Sequence, residues 1–162
     1  AMSMSVGNMY NYFSSKEELA KFAIKYSTNI IADELREINN MDTTSKEKIY
    51  LFVRKYLENV QKSPEVIEYF LRVYLSNREV FKQGCEGFLC VGEFVTEVMI
   101  LLDEGAQKKE FREQDFFPAF GMLMGCLGGF AFLSGENVLP KDLLSYSDAV
   151  ADNIYRALKY DE

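Results

Sequence analysis

The sequence predicts an all-α protein, a helical bundle, on three observations. Apolar residues recur at three- and four-residue steps along nearly the whole chain. No segment shows the strict alternation of a half-buried strand, and there is no internal repeat or low-complexity tract. Between the periodic segments stand Ser, Thr, Asp, Asn, Gly and Pro, the residues that start and stop helices.

The first helix is expected over 15–38. Ser15 has Glu18 three positions on, the capping-box spacing, and Glu17 and Glu18 put negative charge in the first turn. Its inward stripe is expected at Leu19, Phe22, Ala23, Tyr26 and Ile30, continued by Ile31, Leu35 and Ile38. "NNMDTTS" breaks the pattern, with Thr43, Thr44 and Ser45 as cap candidates. A second helix then runs to Lys62, with Ile49, Phe52, Val53, Tyr56 and Val60 on one face, and Ser63-Pro64 stops it. A short helix over 64–75 carries Ile67, Phe70, Leu71 and Tyr74. After an irregular stretch punctuated by Gly84 and Gly87, a helix over 88–106 faces Phe88, Val91, Val95, Val98, Met99 and Leu102 inward. Asp115 caps an uncharged run from Phe116 to Gly135, and a last helix near 140–159 presents Leu143, Tyr146, Val150, Ile154 and Leu158.

The uncharged run has the length of a membrane span. It also contains Pro118 and five glycines, has acidic flanks in Asp115 and Glu136, and lacks a Lys/Arg anchor at either end. A helix buried on nearly all sides, with no membrane, is the expectation. Gly121, Gly125 and Gly129 recur every fourth residue along it. Each glycine costs about 1 kcal/mol in a helix interior, so three in register imply close approach of another helix. That helix is either an intrachain neighbour or a second copy.

Composition narrows the function. Of 162 residues, 48% are hydrophobic and 14% aromatic, too rich for disorder. The formal net charge is -7, so any contact with nucleic acid must be local. With no histidine, the commonest general base and metal ligand are missing. Ser-His-Asp and Cys-His arrangements are ruled out, and no Gly-rich phosphate loop follows a strand. Neither catalysis, a metal nor a cofactor is expected. Cys85, Cys90 and Cys126 are odd in number and lack CxxC spacing, and no leader pattern opens the chain, so a reduced, cytoplasmic setting is expected.

The opening stretch "SVGNMYNYFSSKEEL" carries the one specific motif. It resembles the hallmark of the TetR family of bacterial transcriptional regulators, Ser-x-Gly-Thr-Leu-Tyr-x-(Tyr/His)-Phe-x-Ser-Lys-Glu-x-Leu. The matching residues are Ser5, Gly7, Tyr10, Tyr12, Phe13, Ser15, Lys16, Glu17 and Leu19, with Asn8 and Met9 in place of Thr-Leu. A second stretch, Glu104-Gly105 followed by Lys109-Glu110-Phe111-Arg112, resembles the family's "EGxxxGEFR" turn, with lysine where glycine is usual.

The resemblance implies a ligand-responsive regulator, by family habit a repressor. Residues 1–14 would be the end of a helix-turn-helix, whose first helix and most of its second would precede Ala1. Residues 15–162 would be the ligand-binding and dimerisation domain. Ser5, Asn8, Tyr10, Tyr12 and Lys16 would contact operator DNA, Asn8 by pairing with adenine and the tyrosines and lysine by holding phosphates. Phe13 would lock the motif onto the helix behind it. Gly121, Gly125, Gly129, Val150 and Ile154 would form the homodimer face. The ligand pocket would be lined by Tyr26, Phe52, Tyr56, Phe70, Tyr74, Phe94 and Phe117, walls that suit a small lipophilic molecule. Glu93 and Glu97 are one turn apart. A glutamate facing the pocket would pair with a lipophilic cation, whereas solvated glutamates would leave a neutral or fatty-acyl ligand. An α-helical binding module or enzyme without a DNA role is the alternative.

Overall fold

The computed structural model describes residues 12–64 and 91–160. Within them lie five α-helices: α1 (Lys16–Asn39), α2 (Ser45–Lys62), α3 (Gly92–Gln107), α4 (Phe116–Gly135) and α5 (Ser147–Leu158). A 3-10 turn, Leu143–Tyr146, leads into α5. The all-α expectation holds, and the only strand-like feature among the described residues is an isolated antiparallel bridge between Phe111 and Lys159.

The caps fall where the sequence puts them. The Ser15 hydroxyl accepts from the Glu18 amide at 3.1 Å. The return arm of the box goes one residue further, since Glu18 accepts from the amide and hydroxyl of Ser14 at 2.7 and 2.6 Å. Thr44 caps α2 through the Glu47 amide, and Asp115 caps α4 through the Phe117 amide. α3 and α4 both end in Schellman turns. In α3 the Lys109 amide donates to Ala106 and the Glu110 amide to Gly105. Such a turn needs a left-handed residue, and Lys109 supplies it with φ of 58°. This explains why glycine is usual at that place in the motif. Lys109→Gly is expected to raise stability by about 1 kcal/mol, measured by urea denaturation.

The core gathers Leu35, Phe52, Val53, Leu57, Val98, Leu101, Leu123, Leu127, Ile154 and Leu158, all buried. α1 lies along α3, and α2 along α5. Phe111 is buried beside Gly105, where an added Cβ would sit 2.1 Å from its ring. The turn after α3 can therefore tuck its phenylalanine against α3 only because residue 105 is glycine. The bridge then ties this turn to the chain's end, Arg112 donating to Leu158 and Tyr160 to Glu110.

Three sequence expectations are corrected here. The buried stripe of α1 is Ile24, Ser27, Thr28, Ala32, Leu35 and Ile38, whereas Phe22, Tyr26 and Ile30 are exposed. Ser27 and Thr28 can face inward because their hydroxyls donate to the carbonyls of Ala23 and Ile24 in the preceding turn. On α3, Met99 likewise points outward. α4 is not buried all round either. Its inward residues are Ala119, Leu123, Leu127 and Ala131, one per turn. The helix is long and apolar enough to cross a membrane, and only 22% of its most apolar window is covered within the protomer.

Candidate ligand-binding site

α2 places Phe52 and Tyr56 one turn apart on its buried face, and α3 brings Phe94 against them. The Phe52 and Phe94 rings are 6.2 Å apart, Phe94 and Phe120 of α4 another 6.2 Å, and Phe120 stacks on Phe116 at 5.3 Å. These four rings form a continuous row from the centre of the bundle to the start of α4, at separations where aromatic pairs attract. Tyr56 lies deep beside them, and burial alone pushes its phenol above the ordinary value. Ile24, Val91 and Val95 form a smaller buried group on which Phe116 and Phe120 also pack.

The row opens toward a cleft of about 370 Å³ between the last turns of α3 and the first turns of α4. Its floor is Leu102, Ala106, Phe111, Phe116 and Ala119, and its rim is Asp103, Gln107, Arg112, Glu113 and Gln114. The volume is within the range of small-molecule sites.

A polar seam runs along the other side of α3. The Arg36 guanidinium holds Glu97 at 2.8 Å, Glu93 at 3.3 Å and Asp33 at 2.6 Å. Asn39 donates to the Glu97 carboxylate and carbonyl, each at 3.0 Å, and its own backbone carbonyl accepts from Lys48 at 2.7 Å. The buried Lys48 then pairs with Glu104 at 2.6 Å, and Lys108 adds a second ammonium to Glu104 at 2.5 Å. Burial works against the Glu104 carboxylate, but these hydrogen bonds outweigh it and hold the group below its usual range.

The seam changes the reading of Glu93 and Glu97. Glu97 is buried and is not a solvated residue, while Glu93 is exposed; Arg36 already pairs with both. No free carboxylate remains on this helix face for a cationic ligand. Of the other expected pocket residues, Phe52, Tyr56 and Phe94 come together, whereas Tyr26 is 59% and Phe117 66% exposed. Tyr26 instead stacks on Phe22, and Phe117 sits on the outer side of α4's first turn. Phe70 and Tyr74 lie outside the described residues, as do Ser5, Asn8 and Tyr10. Tyr12 is exposed, Lys16 opens α1, and Phe13 rests on Phe22 with ring centres 5.4 Å apart.

Among the expected dimer residues, Gly121, Gly125 and Gly129 line the face of α4 opposite its buried stripe, and an added Cβ there would meet nothing within 4 Å. Val150 and Ile154 are corrected: at 2% and 0% exposure they belong to the protomer's own core and have no surface to offer a partner. Sequence reasoning missed Arg36, Asn39 and Lys48, whose partners on α3 lie more than 50 residues away. Phe120, four residues beyond Phe116 on α4, completes the row, and that one-turn spacing is its signal in the sequence.

No family model matches the chain, and no curated protein shows a significant match. Solved structures do. A Clostridium perfringens protein assigned as a fatty acid metabolism regulator superposes with a TM-score of 0.72 at 20% identity, over 96% of this chain and 83% of that one. The transcriptional regulator FadR from Bacillus subtilis, in complex with stearoyl-CoA, superposes with a TM-score of 0.67 at 22% identity, over 94% of this chain and 81% of that one. The chain thus has the fold of these regulators along nearly its whole length.

Proposed function

We propose that this chain is the sensor of a ligand-responsive bacterial transcriptional regulator of the TetR type, acting as a repressor. The observation that carries the reading is the fold shared with a regulator crystallised with stearoyl-CoA. The row Phe52–Phe94–Phe120–Phe116 supplies the apolar interior such a ligand needs, and the Arg36 pairs remove the case for a cation. The ligand is therefore a lipophile without a cationic group, bearing a long acyl chain and carried as a fatty acid or its thioester. It binds among α1, α2, α3 and α4, with Phe52, Tyr56 and Phe94 as walls.

The protein works as a homodimer in the cytoplasm, built on the open strip of Gly121, Gly125 and Gly129. Residues 1–14 belong to the DNA reader, with Ser5, Asn8, Tyr10, Tyr12 and Lys16 on the operator. The ligand prefers the sensor conformation in which the two readers no longer match the operator spacing, and so shifts the population away from DNA. The seam from Arg36 to Lys108 holds the C-terminal half of α1 to α3, so a change among the helices reaches α1 as a rigid movement.

The test is a thermal-shift series with fatty acids, acyl thioesters, neutral aromatics and lipophilic cations. Acyl compounds at about 100 times their Kd are expected to stabilise the protein by about 2.7 kcal/mol, several degrees of Tm, with no response to cations. Stabilisation by cations alone, lost in Glu97→Gln, would reverse the assignment.

A further inference from the structure

We propose that Tyr56 is the specificity-determining residue of the interior site, its buried hydroxyl left without a partner in the fold so that it hydrogen-bonds one uncharged oxygen carried along the ligand's chain, a hydroxyl or a ketone. The inference rests on the acyl-ligand reading above and narrows it to oxygenated chains, since a plain saturated chain has no such oxygen.

Tyr56 is 5% exposed, on the buried face of α2, with Phe52 one turn before it and Val60 one turn after. It shares the apolar core with Leu57, Phe94 and Val98. Among the described tyrosines it alone is buried; the half-buried Tyr50 donates to Asp152. No described residue hydrogen-bonds the Tyr56 hydroxyl, and burial is the one influence on its phenol, with neither a charge nor a polar neighbour beside it. A buried tyrosine hydroxyl ordinarily finds a partner, because it loses its water on folding. α1 shows the usual solution, where buried Ser27 and Thr28 donate to the carbonyls of Ala23 and Ile24. A tyrosine oxygen, at the far end of its ring, cannot turn back on its own helix in this way. The Ser45 hydroxyl also lacks a partner, but it stands at the polar start of α2, where its own amide donates to Glu110. At position 56 a phenylalanine would fill the core as Phe52 and Phe94 do, so the oxygen contributes nothing to the fold.

A ligand oxygen supplies the missing partner. A ketone accepts from the phenol, and a hydroxyl accepts from it or donates to it. A carboxylate does not suit the place, since a full charge would be buried there against a single donor. A hydrocarbon segment covers the phenol without pairing it, and so binds against a desolvation cost that an oxygenated chain avoids. A site built to hydrogen-bond one ligand oxygen discriminates against the analogue that lacks it.

Isothermal titration tests this with stearic acid and with its monohydroxy and monooxo derivatives, the oxygen placed near the head, the middle or the tail of the chain. The unmodified protein is expected to bind at least one derivative about tenfold more tightly than stearic acid. Tyr56→Phe should erase that gain and hold stearic acid as tightly as the parent or more so. The unliganded variant should have an equal or higher Tm, because no bond within the fold is lost. An unchanged or raised Tm together with a lost oxygen preference is a signature that a structural tyrosine would not give. A gain from both hydroxy and oxo compounds has the phenol donating, and a gain from the hydroxy compounds alone has it accepting. Stearic acid bound as tightly as every derivative, or a gain that survives in Tyr56→Phe, overturns the assignment while leaving the acyl-ligand reading in place. A Tm lowered by several degrees in the variant reveals a partner within the fold and overturns it too. If neither stearic acid nor any derivative binds the unmodified protein, the acyl-ligand reading itself is wrong, and the role of Tyr56 falls with it.

Discussion

Lys48→Met is expected to lower folding stability by about 3 kcal/mol at neutral pH. Lys48 is the most buried charge in the described residues, with its side chain 1% exposed. Its ammonium holds the Glu104 carboxylate and the carbonyl of Asn39, the residue that also donates to Glu97. Methionine fills the space of the stem but leaves both acceptors short of a donor, and a buried acceptor without its partner is costly. Lys108 still reaches Glu104, which keeps the loss below that of a fully stranded charge. The dependence on pH gives a second signature. Because the folded-state value of Glu104 lies below its unfolded value, its contribution is complete above the unfolded value and disappears as pH falls through the folded one. The unmodified protein should lose this part of its stability in the acid range, and Glu104→Gln should flatten that limb of the curve. Urea denaturation across the acid range measures both, and a Lys48→Met variant as stable as the parent would show the seam to be ornamental.

Gly125→Leu should abolish the dimer while leaving the protomer as stable or more so. The strip at 121, 125 and 129 is open within the protomer, so the new side chain meets nothing there. Leucine is also the better helix former, by somewhat less than about 1 kcal/mol. Its only cost arises where a second copy packs closely on α4. A stable dimer needs a large apolar contact, and the exposed side of α4, with Phe117 at 66% and Phe132 at 61%, offers an apolar face. Sedimentation equilibrium at micromolar concentration should find the parent dimeric and the variant monomeric, with Tm equal or higher. A variant that sediments as a dimer removes the strip from the interface.

Capping and stop signals are legible in the sequence because each acts within four residues. Ser15, Thr44, Asp115 and the Ser63-Pro64 stop all stand at the helix ends that they mark. Which face is buried is less legible. On α1 the aromatic residues point out and the hydroxyl residues point in, so counting apolar positions selects the wrong stripe. Thr28 and Ser27 can be buried because each satisfies its own hydroxyl within the helix, an option invisible to hydropathy. On α4, absence of charge suggests burial within the protomer, yet an apolar face can also be left open. Val150 and Ile154 do form a helical stripe, but the stripe turns toward the protomer's own core. The Arg36–Glu97 pair, 61 residues apart, has no local signal. Of the site, Phe52, Tyr56 and Phe94 are legible in the sequence, while their continuation through Phe120 and Phe116 into a cleft requires the packing of α4 on α3.

The acyl-chain site proposed for the interior of this bundle is open to direct test. Titration of the protein with stearoyl-CoA, followed by calorimetry, tests it most directly. The expected result is saturable binding of one ligand per protomer, with a negative heat-capacity change from buried apolar surface, abolished in Phe94→Asp. Absence of saturable binding by the folded parent, or binding that Phe94→Asp leaves intact, would contradict it.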